Sequence, residues 1–263
     1  MNSSERVQVA FVYDGDTVKL TDGRRLRIIG INTPEISHAG QPSQALAAQA
    51  KASLTDLLDK HNRVLLLQYG QEHHDHYGRL LAHAFLEDGN NVAVHLLEQG
   101  LASTLVVPPN TWGQSCYQAV EDVARTAGRG LWALPSYQPS DHSALPPDAR
   151  GFHIVHGRIT AIRHSRHSVW LDLDGPLVIH IARKDLVNFK PRFLDSIKGM
   201  PVEIRGWIKG DQQDLRLKVR HPAALRVLAA GNTQVIQPTN PVRNGMSHSV
   251  PTLASHNQND HLP

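Results

Sequence analysis

Residues 7–31 read VQVAFVYDGDTVKLTDGRRLRIIGI. Val7, Val9 and Phe11 alternate with polar partners, which predicts a half-buried strand. Thr17 to Leu20 and Arg24 to Ile31 supply two more strands, separated by a Thr-Asp-Gly turn at 21–23, so the stretch predicts a β-meander. Working outward, the period changes at Ser43, where Leu46, Ala50, Leu54, Leu57 and Leu58 fall on one helical stripe with Pro42 near its start. Strands recur at 63–69 and 80–86. Two further helices fit 92–99, stopped by Gly100, and 115–127, stopped near Gly128 and Gly130. Strands followed by peripheral helices predict an α+β domain around a small barrel.

This first domain spans residues 1–132. Residues 133–150, ALPSYQPSDHSALPPDAR, carry four prolines among turn-forming Ser and Asp and read as a linker. Residues 151–230 then show five strand-like runs, at 154–162, 169–173, 177–181, 202–208 and 215–219, with one mixed segment between the third and fourth. That pattern is similar to an OB-type barrel. Residues 231–263, rich in Asn, Gln, Ser, Thr, Pro and His, lack sustained periodicity and are expected to be disordered.

Charge divides at the same boundary. The chain's net charge is +3, but residues 1–150 hold 12 Lys and Arg against 16 Asp and Glu, whereas 151–230 hold 14 against 7. The first part therefore suits acidic chemistry and the second a polyanion. Arg205, Trp207 and Lys209 alternate with apolar residues in one run, and Arg216, Lys218 and Arg220 do so in the next. If a hairpin joins them, five cations surround one tryptophan on a face suited to phosphates and a stacked base, or to solvent alone.

The 263 residues include one cysteine, Cys116, which excludes an intrachain disulfide framework and reads as a small packing residue. No apolar run approaches the roughly 20 residues of a membrane-spanning helix. The N-terminus lacks a basic start followed by an apolar segment, so the expectation is a cytoplasmic protein, with the mature form of an exported one as the alternative. His73, His74 and His76 lack strict zinc-ligand spacing and read as a solvated loop, and Trp132 reads as core.

The chemistry concentrates in three segments. Asp14-Gly15-Asp16-Thr17 puts two carboxylates on one side of an extended backbone, suiting a hard cation, although Asp-Gly-Asp is also a common turn. The second, from Arg27 to Glu35, places an arginine in an apolar strand that ends in a rigid Asn32-Thr33-Pro34-Glu35 turn. The third, Asp75-His76-Tyr77-Gly78-Arg79, starts a strand with another arginine after a tight turn.

In this order and spacing the three segments, with the closing Gly130-Leu131-Trp132, resemble the staphylococcal nuclease family over about residues 7–132. The resemblance implies a five-stranded OB barrel with three helices and a calcium-dependent phosphodiesterase acting on DNA and RNA, with magnesium as the second candidate cation. It implies Asp16 and the Thr33 carbonyl as metal ligands, with Asp14 behind them. Arg27 and Arg79 would bind the scissile phosphate, Glu35 would activate or orient the attacking water and Tyr77 would line the substrate pocket. At the family's second metal-binding aspartate this chain has Asn32, which can coordinate without adding charge, so weaker cation binding is expected. After Gly100-Leu101-Ala102, where the family places tyrosines, the chain reads Ser103-Thr-Leu-Val-Val-Pro-Pro109, so base stacking there should be reduced. A nucleic-acid-binding module that has lost its chemistry is the competing class, and a protein-interaction scaffold is a third. No obligate protein partner is expected.

Overall fold

Five strands of the first domain close on one another because each buries an apolar side against a shared core. In the computed structural model, which describes residues 4–37, 42–210, 215–229 and 235–236, β1 (Glu5–Val12), β2 (Thr17–Leu20) and β3 (Arg25–Ile28) form the expected meander. β3 ends two residues before Gly30, whose backbone φ is +91° and whose lack of a Cβ leaves room for the Tyr117 ring, with which a Cβ would collide. The single strand expected for 24–31 therefore breaks, and β4 (Gly30–Asn32) leaves the barrel.

The helix α1 (Ala47–Lys60) follows, then β5 (Val64–His74), β6 (Leu80–Phe85), α2 (Val92–Glu98), β7 (Ser103–Leu105) and α3 (Gln114–Thr126). Asn91 caps α2 by accepting from the N–H groups of Ala93 and Val94. The barrel closes in the order β1-β2-β3-β6-β5, with β3 and β6 parallel, while β4 and β7 pair antiparallel beside it. Val9, Val18, Leu20, Leu26, Ile28, Leu65 and Leu67 fill its interior, and Leu54, Leu58, Leu96 and Leu97 add the helices' apolar stripes.

Residues 133–150 pack rather than swing free. They form 3-10 turns and a two-residue strand β8 (Ser140–Asp141) parallel to β9 (Gly151–His164), and Leu145 and Ala149 enter the second core. Proline stops regular helix here without preventing apolar burial, which corrects the reading as a plain linker.

Beyond β9 come β10 (Ser168–Leu173), β11 (Leu177–Ala182), the single turn α4 (Phe193–Ser196), β12 (Pro201–Lys209) and β13 (Leu215–Lys218). These strands close in the order β9-β10-β11-β13-β12, again with one parallel pair, β11 and β13. The expected second barrel is therefore present, with the strand topology of the first. β14 (Leu225–Leu228) extends β12, and β15 (Val235–Ile236) pairs with β14. The rest of the disorder expected for 231–263, and most of the hairpin at 210–214, lie outside the described residues. No helix among the described residues is long and apolar enough to cross a membrane.

The barrels join through α3. Its buried face carries Tyr117, Gln118, Glu121 and Ala124, while Cys116 is exposed, not packed. Glu121 accepts from Arg205 of β12 at 2.8 Å on both carboxylate oxygens, and Arg125 grips Glu203 through two 2.6 Å bonds. Asp122 meets Arg226 at 2.7 Å.

Candidate active site

The three motifs converge at one end of the first barrel. The Asp14–Asp16 segment is the loop between its first two strands, Arg27 lies on the third, and Asp75–Arg79 joins the fourth and fifth. Gly15 passes so close to Thr33 and Ala50 that a Cβ would stand 2.7 Å from the Thr33 methyl. This close approach brings the first loop against the Asn32–Glu35 turn.

Asp16 is 1% exposed, and its carboxylate accepts from the Thr33 N–H at 2.8 Å and the Thr17 hydroxyl at 3.0 Å. It also pairs with Arg27 Nε at 3.1 Å. Arg27 further donates to the carbonyls of Ile28 and Ile31 and to Asn32 Oδ1, and Asn32 Nδ2 reaches the Thr33 carbonyl at 3.3 Å. Asp14 accepts from the Asp16 N–H at 3.0 Å. Burial first, then the neighbouring Asp16 and Glu35, raises the Asp14 carboxyl to about 6, with Arg27 opposing.

Glu35 stands exposed on the turn, its N–H held by Gln44 Oε1 at 3.0 Å. Asp75 organises the opposite loop by accepting from the N–H groups of Tyr77 and Arg79 and from Arg79 Nε at 2.8 Å. Tyr77 is 74% exposed, with the Arg79 guanidinium 5.4 Å from its ring centroid and the His76 ring tilted against it at 3.8 Å.

Arg27 and Arg79 line one cleft of about 450 Å³, together with Glu72, His76, Asn110 and Arg220. A larger hollow, about 720 Å³, lies between Ser53 and Asp56 of α1 and His95 of α2 but contains no residue of the three segments Asp14–Thr17, Arg27–Glu35 and Asp75–Arg79.

The donors near Asp16 are all oxygens: two carboxylates, the Asn32 amide and the Thr33 carbonyl. The Thr33 hydroxyl is buried without a partner, and Asp14 resists ionising beside Asp16, so added positive charge would be favoured. This set fits a hard divalent cation. Among the described residues no group of three or more His, Cys, Asp or Glu is gathered as a metal shell.

The expected basic face of the second barrel is only partly there. Arg205 is buried in the Glu121 pair and also donates to the Thr104 hydroxyl, so it cannot meet a phosphate. Two factors misled the alternation argument: β12 buries both faces at Glu203 and Arg205, and α3 supplied an unrecognised acidic partner. Trp207 is 39% exposed but ends an aromatic ladder with Phe152, Tyr137 and Trp132. Lys209, Arg216 and Lys218 are exposed, with Arg216 over the Trp170 ring. Arg220 turns towards the cleft, donating to the Pro108 carbonyl at 3.0 Å and contacting Asp185 at 3.4 Å. The one signal for this placement was the charge asymmetry, which identified the domain but not the destination.

A buried polar cluster also escaped the sequence reading. Asn91 Nδ2 donates to Tyr117 Oη, whose hydroxyl meets His83 Nδ1 at 2.8 Å. Burial drives the His83 pKa down to about 4.

The family model described as "Staphylococcal nuclease homologue" matches residues 25–134, ending before the second barrel. The thermonuclease of Staphylococcus intermedius is 32% identical over 49% of this chain and 76% of that protein. The thermonuclease of Staphylococcus hyicus is 30% identical over 50% of this chain and 79% of its own length. The endonuclease YhcR of Bacillus subtilis strain 168 is 28% identical over 46% of this chain but only 11% of that protein. With the three motifs gathered at one barrel end, this chain belongs to the staphylococcal nuclease family.

Proposed function

We propose that this chain is a divalent-cation-dependent phosphodiesterase that hydrolyses DNA, RNA or both, with the second barrel helping to hold the polymer. The observation that carries this reading is the shared cleft of Arg27 and Arg79, with Arg27 paired to Asp16 and the Asp14 carboxyl under the influence of Asp16, Glu35 and Arg27. Negative charge grows on the equatorial oxygens during in-line displacement, and two guanidinium groups can hold those oxygens through paired, charge-assisted hydrogen bonds. Glu35, exposed at the rim, can accept the attacking water's proton. Asp16, Asn32 and the Thr33 carbonyl would hold calcium, or magnesium, with Asp14 behind them. When bound, the cation supplies polarisation of the phosphoryl oxygen and lowers the water's pKa.

Arg220 supports a role for the second barrel, because it carries that barrel's charge into the cleft. Tyr77 offers an exposed ring for a base or sugar, and Lys209, Arg216 and Lys218 add exposed charge. A catalytically weak binding module is the second reading, favoured by Asn32 and by the internal contacts that already occupy Arg27.

Incubating the purified chain with single- and double-stranded DNA and RNA, in calcium, magnesium or chelator, tests the proposal. Cation-dependent cleavage is expected. Full activity after exhaustive chelation, or binding without cleavage under every condition, would contradict it.

A further inference from the structure

The two barrels share one strand topology, which makes their corresponding positions comparable. In the first, the loop between strands one and two, strand three, and the loop between strands four and five carry the candidate site. The ligand surface of an OB barrel commonly spans these loops and the face of strands two and three. In the second barrel that address belongs to the β9–β10 loop and the outer face of β10 and β11, continued on β13.

Cross-strand registry assembles one row there. Arg163 of β9 stands opposite Trp170 of β10, Trp170 opposite His180 of β11, and His180 opposite Lys218 of β13. The partners of this alternation, Val169, Leu171, Ile179, Ile181 and Leu217, are buried in the core, so the row must face outward. Trp170 is flanked by the His180 ring at 4.4 Å and by the Arg216 guanidinium at 5.3 Å. Burial first, then Lys218 and Arg216, lowers the His180 pKa, which favours a neutral aromatic plane. The adjoining loop reads Ser165-Arg166-His167, all exposed, after His164 at the end of β9. Asp172 offsets Arg163 through two 2.6 Å bonds, while Arg166 and Lys218 extend the positive surface.

We propose that this face, built on Trp170, His180, Arg216 and Lys218 with the Arg166 loop, binds a single-stranded polynucleotide. Guanidinium, indole and imidazole planes present a stacking layer for bases, and the cations beside it follow a phosphate backbone. The inference deepens the proposed function, which names nucleic acid as the substrate. It moves the second barrel's contact from Trp207 to Trp170.

The test uses the full chain carrying Glu35→Gln, so binding can be measured without turnover. Fluorescence anisotropy is recorded with a single-stranded DNA and with the RNA of the same sequence, across salt concentrations. Trp170→Ala should weaken affinity by about 5- to 150-fold with little change in salt slope. Lys218→Glu and Arg166→Glu sit at exposed positions and keep the test decisive if Trp170→Ala does not fold. Each should lower the log–log salt slope by at least about 0.7. Equal losses on DNA and RNA would identify a face that reads strand and charge, and unequal losses would identify sugar discrimination at the same face. Unchanged affinity and slope in both charge variants would overturn the proposal. Loss on Trp207→Ala with none on Trp170→Ala would also overturn it, as would equally tight, equally sensitive binding of polyglutamate. Hydrolysis by the parent chain is measured separately, so its absence would count against the first barrel's reading and not against this face.

Discussion

The two barrels follow the same strand order but use the same end differently. In the first, that end pairs Asp16 with Arg27 and Asp75 with Arg79, and the two arginines share one cleft. In the second the loop at that end carries Arg166, and the outer face beside it carries Trp170, His180 and Lys218, with Asp172 engaged by Arg163. Topology provides an address, and the residues placed there determine the chemistry. The contrast implies division of labour: one barrel is arranged to hold charge that develops in a reaction, the other to hold charge already on a polymer.

The strongest way to break the comparison is to disconnect the barrels. Arg205 and Glu121 are 8% and 0% exposed at the side chain, so removing one leaves the other buried and unpaired. Arg205→Ala should cost about 3–5 kcal/mol, measured by denaturant unfolding. A surface-like cost below about 1 kcal/mol would show that the pair is not closed to water.

Next in size is the first barrel's phosphate clamp. Arg27→Lys and Arg79→Lys retain charge but lose the planar fork, and each should lower kcat by on the order of a hundredfold to a thousandfold, about 2.7–4 kcal/mol of barrier. Variants with normal unfolding curves and near-parent turnover would remove these residues from the chemistry.

Acid should strain the two regions through different groups. His83 is neutral in the fold with its pKa lowered to about 4 from 6.5, so its contribution is present above 6.5 and lost as pH falls towards 4. At about 1.4 kcal/mol per unit the loss approaches about 3 kcal/mol. Asp14 acts oppositely: raised from 3.8 to about 6, it favours the folded state at low pH and loses that contribution as pH rises through 6. Comparing the parent with His83→Gln isolates the histidine, and the variant's stability should fall less between pH 6.5 and 4. At the junction, burial raises the Glu203 pKa, but bonds from Arg125 and His156 outweigh it and hold the group well below the carboxylate range. Its contribution, present above about 4.5, is lost only at lower pH.

The smallest effect sharpens the comparison, because Arg220 belongs to one barrel and lines the other's cleft. Arg220→Gln should raise KM about fivefold, near 1 kcal/mol, and lower kcat less. A pure kcat defect would place Arg220 with the reacting atoms.

Both barrels were legible from periodicity, since Val7, Val9, Leu171 and Leu217 bury the side that alternation predicts. The three motifs were legible as segments, and the fold brings them together. The interface was not. On α3, Glu121, Asp122 and Arg125 look like a solvated helix face until the partners Arg205, Arg226 and Glu203, about 80 or more residues away, are known. For the same reason Arg205 reads in sequence as a surface cation until Glu121 is placed beside it. Registry across β9, β10, β11 and β13 assembled the Trp170 row, which no local pattern reveals because its members come from four separate strands.

The central claim is that the first barrel's carboxylate and arginine cluster cleaves the strand that the molecule holds. Its most direct test is a side-by-side measurement of the parent and Glu35→Gln on one single-stranded oligonucleotide, scoring single-turnover cleavage in calcium and equilibrium binding by anisotropy. The account predicts cleavage slowed by on the order of a hundredfold or more, with binding affinity within about threefold of the parent. Equal cleavage rates, or loss of binding in proportion to loss of cleavage, would contradict it.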